Sequence, residues 1–379
     1  MTAVESYDVI VVGAGPAGCA AAAAVRQADP DRSVLVVDRA EFPRDKACGD
    51  GIAYEATQTL AELGFDLSAL LADTEAVRRL AVRSAGGVEV RREMRQQVRV
   101  IPRAVFDARL VADLRRRGVE IRRHTVRSLQ RAGTAVLLDD SLRAGVLIGA
   151  DGAESVVRRL IGVPASRPNR VALAIRGYAP SPPGGEDTQL ITMAGGRSPA
   201  YAWSFPVGAG QANVGYGEVL GGRPLHRADL LANLTRLLPP LPTPPTGLRA
   251  HRLPLSSGRP SIGAGPVLLV GDAQSMINPF TGEGIFYAVT SGMLAGRAAV
   301  SALRTGADAG TGYRHAMRRR LGRHLRHTSA LARLSGWHGL IEAGIRAAHA
   351  DQRCFDELVD FGLSDGLLTP RLIGRLCFS

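Results

Sequence analysis

Short runs of apolar, mostly β-branched residues recur along the chain and predict buried strands. They occupy residues 7–12, 33–37, 146–150 and 268–270. The first run leads through glycines into an alanine-rich helix that extends to about Arg26, and the last leads into an apolar helix that begins near Ile285. Apolar strands that alternate with helices are typical of an α/β fold with a largely parallel sheet.

The glycines after the first strand form a nucleotide-binding signature. Gly13 allows a tight turn, Gly15 lets the backbone approach a pyrophosphate, and Gly18 lets helix and strand pack closely. The second strand ends in Asp38, where an acidic side chain can accept both hydroxyls of an adenosine ribose. A glycine-rich turn in an ordinary α/β fold does not account for that acid, so we predict a dinucleotide site. Its predicted contacts in the loop and first helical turn are Gly13, Gly15, Pro16, Ala17 and Gly18.

A second glycine-rich segment, with the sequence VGDAQSMINPFTGEGI, covers residues 270–285. Its Pro-x-x-Gly-x-Gly run precedes a helix whose N-terminus offers free N–H groups and a partial positive charge. Such a terminus suits a pyrophosphate, a ribitol hydroxyl or the negative charge of a reduced flavin ring. The predicted cofactor contacts in this segment are Gly271, Asp272, Pro279, Gly282, Gly284 and Ile285.

A strand with aromatic residues at alternate positions is predicted around residues 201–205. Tyr201, Trp203 and Phe205 would share one face of this strand because side chains alternate between faces. Three aromatic side chains in a row can line a long apolar cavity, or they can fill an ordinary core. Only 5% of the residues are aromatic, and their concentration here favours a substrate-binding wall.

Composition is that of a globular protein large enough for two joined lobes. Of 379 residues, 45% are hydrophobic and 22% are charged. No uninterrupted apolar stretch is long enough to span a membrane, and the chain begins directly in a strand without a secretory leader. The four cysteines show no metal-ligand spacing, so we predict no metal site and a reducing cytoplasm.

The net charge of +12 comes almost entirely from arginine. The arginines are dispersed and lack interleaved aromatic residues, so nucleic-acid binding is not expected. A solvated basic face is the simplest interpretation, and weak peripheral contact with a membrane is the alternative. Lys46 is the only lysine and lies two residues before Cys48, which indicates that this position has a functional requirement for an ammonium group.

Three segments together resemble the FAD-contacting motifs of flavoproteins built like para-hydroxybenzoate hydroxylase. They are residues 270–285, the run DGAESVVR at 151–158, and Arg103 followed by Phe106, Asp107 and Leu110. The resemblance implies that FAD is the cofactor, that Asp151 helps to hold its pyrophosphate region and that Arg103 reaches it. In so basic a chain, Arg103 is also consistent with a solvated surface arginine.

Further segments are similar to the geranylgeranyl reductase family. They are EFPRDKACGDGI at 41–52, YAWSFP at 201–206, and the Asn-Val-Gly run at 213–215. The similarity covers roughly residues 6–310, and the proline-rich stretch between 221 and 253 departs from it. It implies that the segment with Lys46 and Cys48 runs beneath the flavin and borders the substrate cavity. Arg39, Cys48 and Gly49 therefore join the predicted cofactor contacts.

The expected architecture is a Rossmann-like FAD-binding lobe joined to a substrate lobe on a mixed or antiparallel sheet. We predict that residues 1–75, 100–165 and 255–310 form the discontinuous first lobe. Residues 76–99 and 166–254 would form the second lobe, and 311–379 a C-terminal helical region.

The family resemblance implies reduction of carbon–carbon double bonds in a hydrophobic isoprenoid substrate by hydride transfer from reduced FAD. Cys48 and Lys46 are the predicted catalytic residues: Cys48 or a relayed water would supply the proton, and Lys46 or Asp50 would adjust local pKa values. Electrons would come from NADPH or from a separate reductase or ferredoxin. The same fold also serves flavin-dependent monooxygenases, which are the main alternative. Flavin-dependent halogenases rank third, and a flavin-holding carrier of prenyl lipids without turnover is the non-enzymatic alternative.

Overall fold

The computed structural model describes residues 4–196, 199–221, 225–257, 262–334 and 338–378. In chain order the strands are β1 (Glu5–Val12), β2 (Val34–Asp38), β3 (Gly51–Ile52), β4 (Ala76–Arg83), β5 (Glu89–Val100), β6 (Glu120–Arg123), β7 (Leu129–Ala132), β8 (Ala135–Leu138), β9 (Leu142–Gly149), β10 (Val171–Pro180), β11 (Thr188–Met193), β12 (Ala200–Gly208), β13 (Gln211–Val219), β14 (Thr246–Pro254), β15 (Gly263–Ala264) and β16 (Val267–Leu269). The helices are α1 (Pro16–Ala28), α2 (Tyr54–Glu62), α3 (Leu67–Leu70), α4 (Arg103–Arg116), α5 (Val156–Leu160), α6 (Arg227–Leu237), α7 (Ile285–Thr305), α8 (Ala309–Leu334), α9 (His338–Ala350), α10 (Gln352–Leu363) and α11 (Pro370–Phe378).

The first sheet has the strand order β15-β16-β9-β1-β2-β6, with the hairpin β7-β8 joined to β9. The strands from β16 to β6 run parallel, and each apolar run predicted from the sequence lies in one of them. Parallel strands end at one edge of the sheet, so the segments after β1, β2, β9 and β16 meet there. This edge is where open α/β sheets bind ligands.

Small residues allow the two helices behind this edge to pack tightly. Helix α1 is largely alanine, and its buried face lies against α7. A Cβ at Gly292 would lie 2.1 Å from the carbonyl oxygen of Ala17, and one at Gly296 would lie 2.4 Å from that of Ala21. Both glycines of α7 are therefore required by the close approach of α1 rather than by a turn.

The second sheet is mixed and has the order β14-β10-β13-β12-β11-β4-β5-β3. Only β11 and β4 pair in parallel among these described strands. Helix α6 covers one face through Leu230 and Leu234, which pack with Ala202 and Val214. Tyr201 and Trp203 alternate with Ala202 along β12 and therefore lie on the opposite face.

The C-terminal helices are part of the core rather than a loose tail. Ile345 of α9 and Phe355 of α10 are buried with Val90 and Val98 of β5. The α/β architecture with a mixed second sheet and C-terminal helices is as predicted. The exact lobe boundaries stay a prediction: Gly51–Ile52, which was assigned to the first lobe, pairs with β5 of the second sheet.

No helix in the described ranges combines the length and the apolar character that a bilayer crossing requires.

Candidate active site

The loop after β1, residues 13–18, is fixed by close backbone contacts. Gly13 has φ +106°, and a Cβ there would lie 2.4 Å from the carbonyl oxygen of Ala150. A Cβ at Gly18 would lie 1.8 Å from the carbonyl oxygen of Gly13. Helix α1 begins at Pro16 behind this loop and has no side-chain cap, so its first N–H groups face the sheet edge. We call residues 13–18 the first glycine loop.

Asp38 ties the end of β2 to the first glycine loop. Its carboxylate accepts hydrogen bonds from the backbone N–H of Ala14 at 2.8 Å and from that of Ala40 at 2.9 Å. The adjacent Arg39 is exposed. Asp38 thus lies where a ribose acceptor was predicted, and it also holds the loop in place.

The space in front of Gly15 is bordered by two guanidinium groups. A Cβ on Gly15 would have Arg44 and Arg103 as its nearest neighbours, at 3.5 and 3.9 Å. The buried Arg103 donates two hydrogen bonds of 2.7 Å to Asp107, and Arg44 lies 3.2 Å from the same carboxylate. An open helix N-terminus beside two fixed arginines suits a diphosphate. The sequence prediction did not include Arg44, although it lies in the same segment as Lys46 and Cys48.

The carboxylate of Asp151 forms its hydrogen bonds within its own loop. Its carboxylate accepts hydrogen bonds from the Ser155 hydroxyl at 2.5 Å and from the N–H groups of Val156 and Val157 at 2.7 and 3.1 Å. It therefore caps α5, and the backbone of this segment is what borders Gly13. A direct contact of the Asp151 carboxylate with a cofactor stays a prediction.

The second glycine-rich segment lies beside the first. Gly271 has φ +57°, and a Cβ there would lie 3.1 Å from that of Ala17. The next residue, Asp272, accepts a 2.8 Å hydrogen bond from the Lys46 ammonium group. Burial alone would raise the pKa of Asp272, but the charge and hydrogen bond of Lys46 outweigh burial and lower it. The carboxylate therefore stays ionised at the sheet edge.

Residues 278–284, which we call the second glycine loop, precede α7 and are held by distant parts of the chain. The loop contains Pro279, and Gly282 has φ +71°. Gly284 is the N-terminal cap of α7, which begins at Ile285 as predicted. The hydroxyl of Tyr201 donates a hydrogen bond to the carbonyl of Thr281, so the second sheet contacts this loop directly.

Three aromatic rings form a continuous row on the second sheet. The ring centroids of Tyr201 and Trp203 are 5.9 Å apart, and those of Trp203 and Phe205 are 6.4 Å apart. The indole fits because β13 has glycine opposite it: a Cβ at Gly215 would lie 2.1 Å from the Trp203 ring. The predicted alternation along β12 is therefore confirmed, while the role of the rings in substrate binding stays a prediction.

The segment around Cys48 lies on this aromatic row. A Cβ at Gly49 would lie 3.3 Å from the Phe205 ring and 3.6 Å from the indole nitrogen of Trp203. That indole N–H donates to the side-chain oxygen of Asn213 at 2.8 Å. The amide group of Asn213 in turn donates to the carbonyl of Cys48 at 2.8 Å. Glycine at position 49 thus permits direct contact between the predicted cofactor segment and the predicted substrate wall.

Asp50 completes this network; the sequence indicated it only as a group that could adjust local pKa values. It is fully buried and accepts hydrogen bonds from the Tyr178 hydroxyl at 2.6 Å and the Asn213 amide at 2.7 Å. Burial raises the pKa of Asp50 to about 6, although these hydrogen bonds and Arg176 act to lower it. Its side-chain partners Tyr178 and Asn213 lie more than 100 residues away along the chain, so the sequence could not reveal this network.

The two predicted catalytic residues differ in their surroundings. Burial raises the pKa of the Cys48 thiol, against the opposing charge of Arg103, so the thiol keeps its proton. Lys46 is engaged with Asp272. Both side chains lie in the predicted segment, and their catalytic roles stay predictions.

Glu283 is a further titratable residue that the sequence prediction missed. It lies between Gly282 and Gly284, and its carboxylate accepts a 2.7 Å hydrogen bond from the N–H of Phe286. Burial raises the pKa of Glu283 to about 7, although backbone hydrogen bonds act to lower it. A Cβ at Gly282 would lie 2.8 Å from the Tyr201 hydroxyl, so the aromatic row ends beside this carboxyl-bearing loop.

These features define a flavin-binding α/β oxidoreductase. The open face of Gly15, the uncapped start of α1, Asp38 and the two arginines fit an FAD diphosphate and ribose. The model of the FAD binding domain family matches residues 6–183, which supports FAD as the cofactor.

Comparisons with known proteins identify the family. The chain is 35% identical over 316 residues to menaquinone reductase of Mycolicibacterium smegmatis, covering 76% of this chain and 75% of that relative. It is 33% identical over 318 residues to digeranylgeranylglycerophospholipid reductase 1 of Methanopyrus kandleri, covering 78% of this chain and 81% of that relative. A geranylgeranyl bacteriochlorophyll reductase-like protein of Thermoplasma acidophilum has the same fold, with a TM-score of 0.78, 21% identity and coverage of 99% and 96% of the two chains. The chain belongs to the geranylgeranyl reductase family of FAD-dependent oxidoreductases, as the sequence motifs indicated.

Proposed function

We propose that this enzyme reduces carbon–carbon double bonds in the isoprenoid part of a lipid-like substrate. The relatives' names support this substrate class, because menaquinone and digeranylgeranylglycerophospholipids both carry isoprenoid chains. The observation that carries the proposal is the row of Tyr201, Trp203 and Phe205. This row contacts the Cys48–Gly49 segment and ends at the second glycine loop.

The row has the chemical character that an isoprenoid chain requires. Trp203 is almost fully buried, with its one polar group bonded to Asn213, so the ring offers an apolar face. Three adjoining rings provide apolar contact along several carbons of an extended chain. The row lies beside the segments that would hold FAD, so an alkene bound along it would be close to the flavin.

The first glycine loop with Arg44 and Arg103 would hold FAD, which when reduced would supply the hydride for one alkene carbon. The protein must then provide a proton for the other carbon, since addition of a hydride and a proton converts the double bond to a single bond. An unactivated alkene accepts hydride poorly, so protonation must accompany or precede the transfer. NADPH, or a separate reductase or ferredoxin, would replace the two electrons.

Glu283 is the proton donor in this proposal. A carboxyl group with a pKa near 7 is about half protonated at neutral pH and can both hold and release a proton, as an effective general acid must. The Cys48 thiol, whose pKa is raised, is a weaker acid, and Lys46 is bound to Asp272. The position of Glu283 at the end of the aromatic row brings its carboxyl group close to the proposed alkene site.

The direct test uses the FAD-loaded protein, reduced under anaerobic conditions and incubated with geranylgeranyl diphosphate or menaquinone. Mass spectrometry should show a gain of two hydrogens for each reduced double bond, and no gain of oxygen. Reduced free FAD without protein is the control for chemical reduction. A product that contains oxygen when air is admitted, with no hydrogenated product, would replace this proposal with the monooxygenase alternative.

A further inference from the structure

Helix α8, residues 309–334, has two faces of very different character. The inner face packs on α7 through buried residues spaced three or four positions apart: Tyr313, Met317, Leu321, His324 and Thr328. The opposite face carries four exposed arginines at the same helical spacing, Arg319, Arg323, Arg326 and Arg333. We call these four residues the outer stripe of α8.

The outer stripe has no compensating acidic groups. The sequence from Ala309 to Leu334 contains no aspartate or glutamate. None of the four arginines forms an ion pair within the ranges that the structure describes, whereas Arg320 at the side of the same helix pairs with Asp365. Several arginines elsewhere are paired, as Arg122 is with Glu5. The stripe is therefore a local concentration of positive charge rather than a share of the general excess.

The shape of the stripe favours a flat polyanion. At 1.5 Å per residue, its arginines extend in a line of about 21 Å along one straight helix. Tyr313 is the only Phe, Tyr or Trp residue of α8 and is buried, and the exposed ring next to the stripe is His315, so the stripe lacks a row of large rings on which successive bases could stack. Phosphate groups in the plane of a membrane surface match such a line of guanidinium groups.

We propose that the outer stripe of α8 docks the enzyme on the surface of a bilayer that contains anionic phospholipids. This inference rests on the proposed function, since an isoprenoid lipid substrate resides in such a bilayer. Docking would hold the enzyme at the phase that contains its substrate. Each arginine near an anionic surface should strengthen partitioning about fivefold, and salt should weaken it.

The test measures co-sedimentation of the FAD-loaded protein with vesicles. One set contains phosphatidylcholine alone, and the other contains equal parts of phosphatidylcholine and phosphatidylglycerol. The stripe variant R319Q/R323Q/R326Q/R333Q keeps good helix formers at all four positions. The control variant R78Q/R115Q/R127Q/R227Q removes the same charge from exposed arginines elsewhere. Retained FAD absorbance and the thermal unfolding midpoint report whether each variant is folded.

We expect the unaltered protein and the control variant to bind the anionic vesicles and not the neutral ones. The stripe variant should lose about a hundredfold or more in partitioning. Equal binding by the stripe variant, or no preference for anionic vesicles, would overturn the proposal. Preference for duplex DNA or RNA over vesicles at equal phosphate concentration would also overturn it.

Failure of membrane docking and failure of the proposed reaction can be distinguished experimentally. Turnover of a short isoprenoid in free solution should be the same in the stripe variant and the unaltered protein, because α8 does not contribute to the aromatic row. Loss of vesicle binding with no double-bond reduction in any sample would support docking and reject the proposed reaction.

Discussion

The first and second glycine loops both precede a helix at the same sheet edge, yet they are held in different ways. The first is fixed by its own backbone and by Asp38, the acid at the end of the next strand. The second is held by bonds to distant parts of the chain: Tyr201 donates to the carbonyl of Thr281, and the loop's own Asn278 donates to Tyr287 of α7 and to Gly362 at the end of α10. The first loop is therefore a local structure, and the second depends on the assembled molecule.

The network behind the second loop continues into the C-terminal helices. The amide of Asn278 donates to the Tyr287 hydroxyl at 3.1 Å and to the carbonyl of Gly362 at 3.2 Å. The hydroxyl of Tyr287 lies 2.6 Å from the imidazole of His324, which in turn bonds to the carbonyl of Gly366. Substitutions in the first loop should therefore change stability and FAD binding through steric clashes, whereas those in the second loop should change them through lost hydrogen bonds and altered charge.

Substitution of Gly18 with alanine should have the largest effect and would test the steric account of the first loop. The added methyl group would lie 1.8 Å from the carbonyl oxygen of Gly13, so α1 must move. We expect a loss of about 3 kcal/mol of unfolding free energy and loss of FAD retention. Denaturant unfolding and FAD absorbance measure these effects.

Gly322→Ala in α8 is the matched control, because the new methyl would lie 3.8 Å from the Arg318 Cβ, an ordinary contact. It should stabilise the helix by about 1 kcal/mol or less. If Gly18→Ala retained FAD and unfolded like this control, the steric account would be wrong.

Substitution of Glu283 with glutamine should slow turnover about 1,000-fold while FAD stays bound, because it removes the proposed proton donor. Activity of the unaltered enzyme should fall as pH rises through about 7, where Glu283 loses its proton. Glu41→Gln, an exposed position with 75% of its side chain accessible, is the control and should leave the pH profile unchanged. A Glu283→Gln variant with the original rate would remove this residue from the mechanism.

Thermal unfolding offers a second measurement on the same variant. The pKa of Glu283 in the folded state is raised from 4.5 to about 7, so folding favours the protonated form. Its contribution to stability is complete below about pH 4.5 and is lost as pH rises through about 7. The unaltered protein should therefore lose stability relative to Glu283→Gln across this interval.

Substitution of Asn278 with alanine should destabilise the protein by about 2 kcal/mol, because it removes the side-chain donor to the Phe361 carbonyl and one of the two side-chain donors to the Gly362 carbonyl, the other being Thr281. FAD should dissociate faster as the second loop loosens, which stopped-flow fluorescence would detect. Asn233→Ala, which removes a surface hydrogen bond to Arg236, should change neither quantity measurably. Equal effects from the two substitutions would argue against a clamped second loop.

Substitution of Lys46 with methionine should have the smallest effect, about fivefold weaker FAD binding, since the ion pair with Asp272 is partly exposed. Without the ammonium group, burial would raise the pKa of Asp272, so FAD affinity should become sensitive to mild acid. Titration calorimetry at several pH values would measure both changes. Lys46→Arg keeps the cation and should preserve the pH response, which a purely steric role for Lys46 does not predict.

Features built from residues close together in the sequence could be predicted, whereas features that depend on distant residues could not. Residues 13–18 and Asp38 could be recognised because each part of the motif follows the last at short range. The helix start at Ile285 and the aromatic alternation from Tyr201 were readable for the same reason. Arg44 and Glu283 were missed because their significance comes from burial and from their surroundings in the folded chain, and for the same reason the partners of Asp50 could not be predicted. Asp151 has the predicted position, but its carboxylate caps α5, which only the folded loop reveals.

The bond between Thr281 and the carbonyl of Gly362 also has a consequence for the order of assembly during translation. The backbone contacts of Gly13 and Gly18 and the hydrogen bond to Asp38 involve no residue beyond 151, so they can form while much of the chain is still being synthesised, and Ala17 packs against Gly271 and Gly292 later. The second loop cannot take its final position until residues 361–366 have left the ribosome. Chains arrested before residue 361 should therefore bind FAD weakly, and tight retention should appear only once α10 has been released.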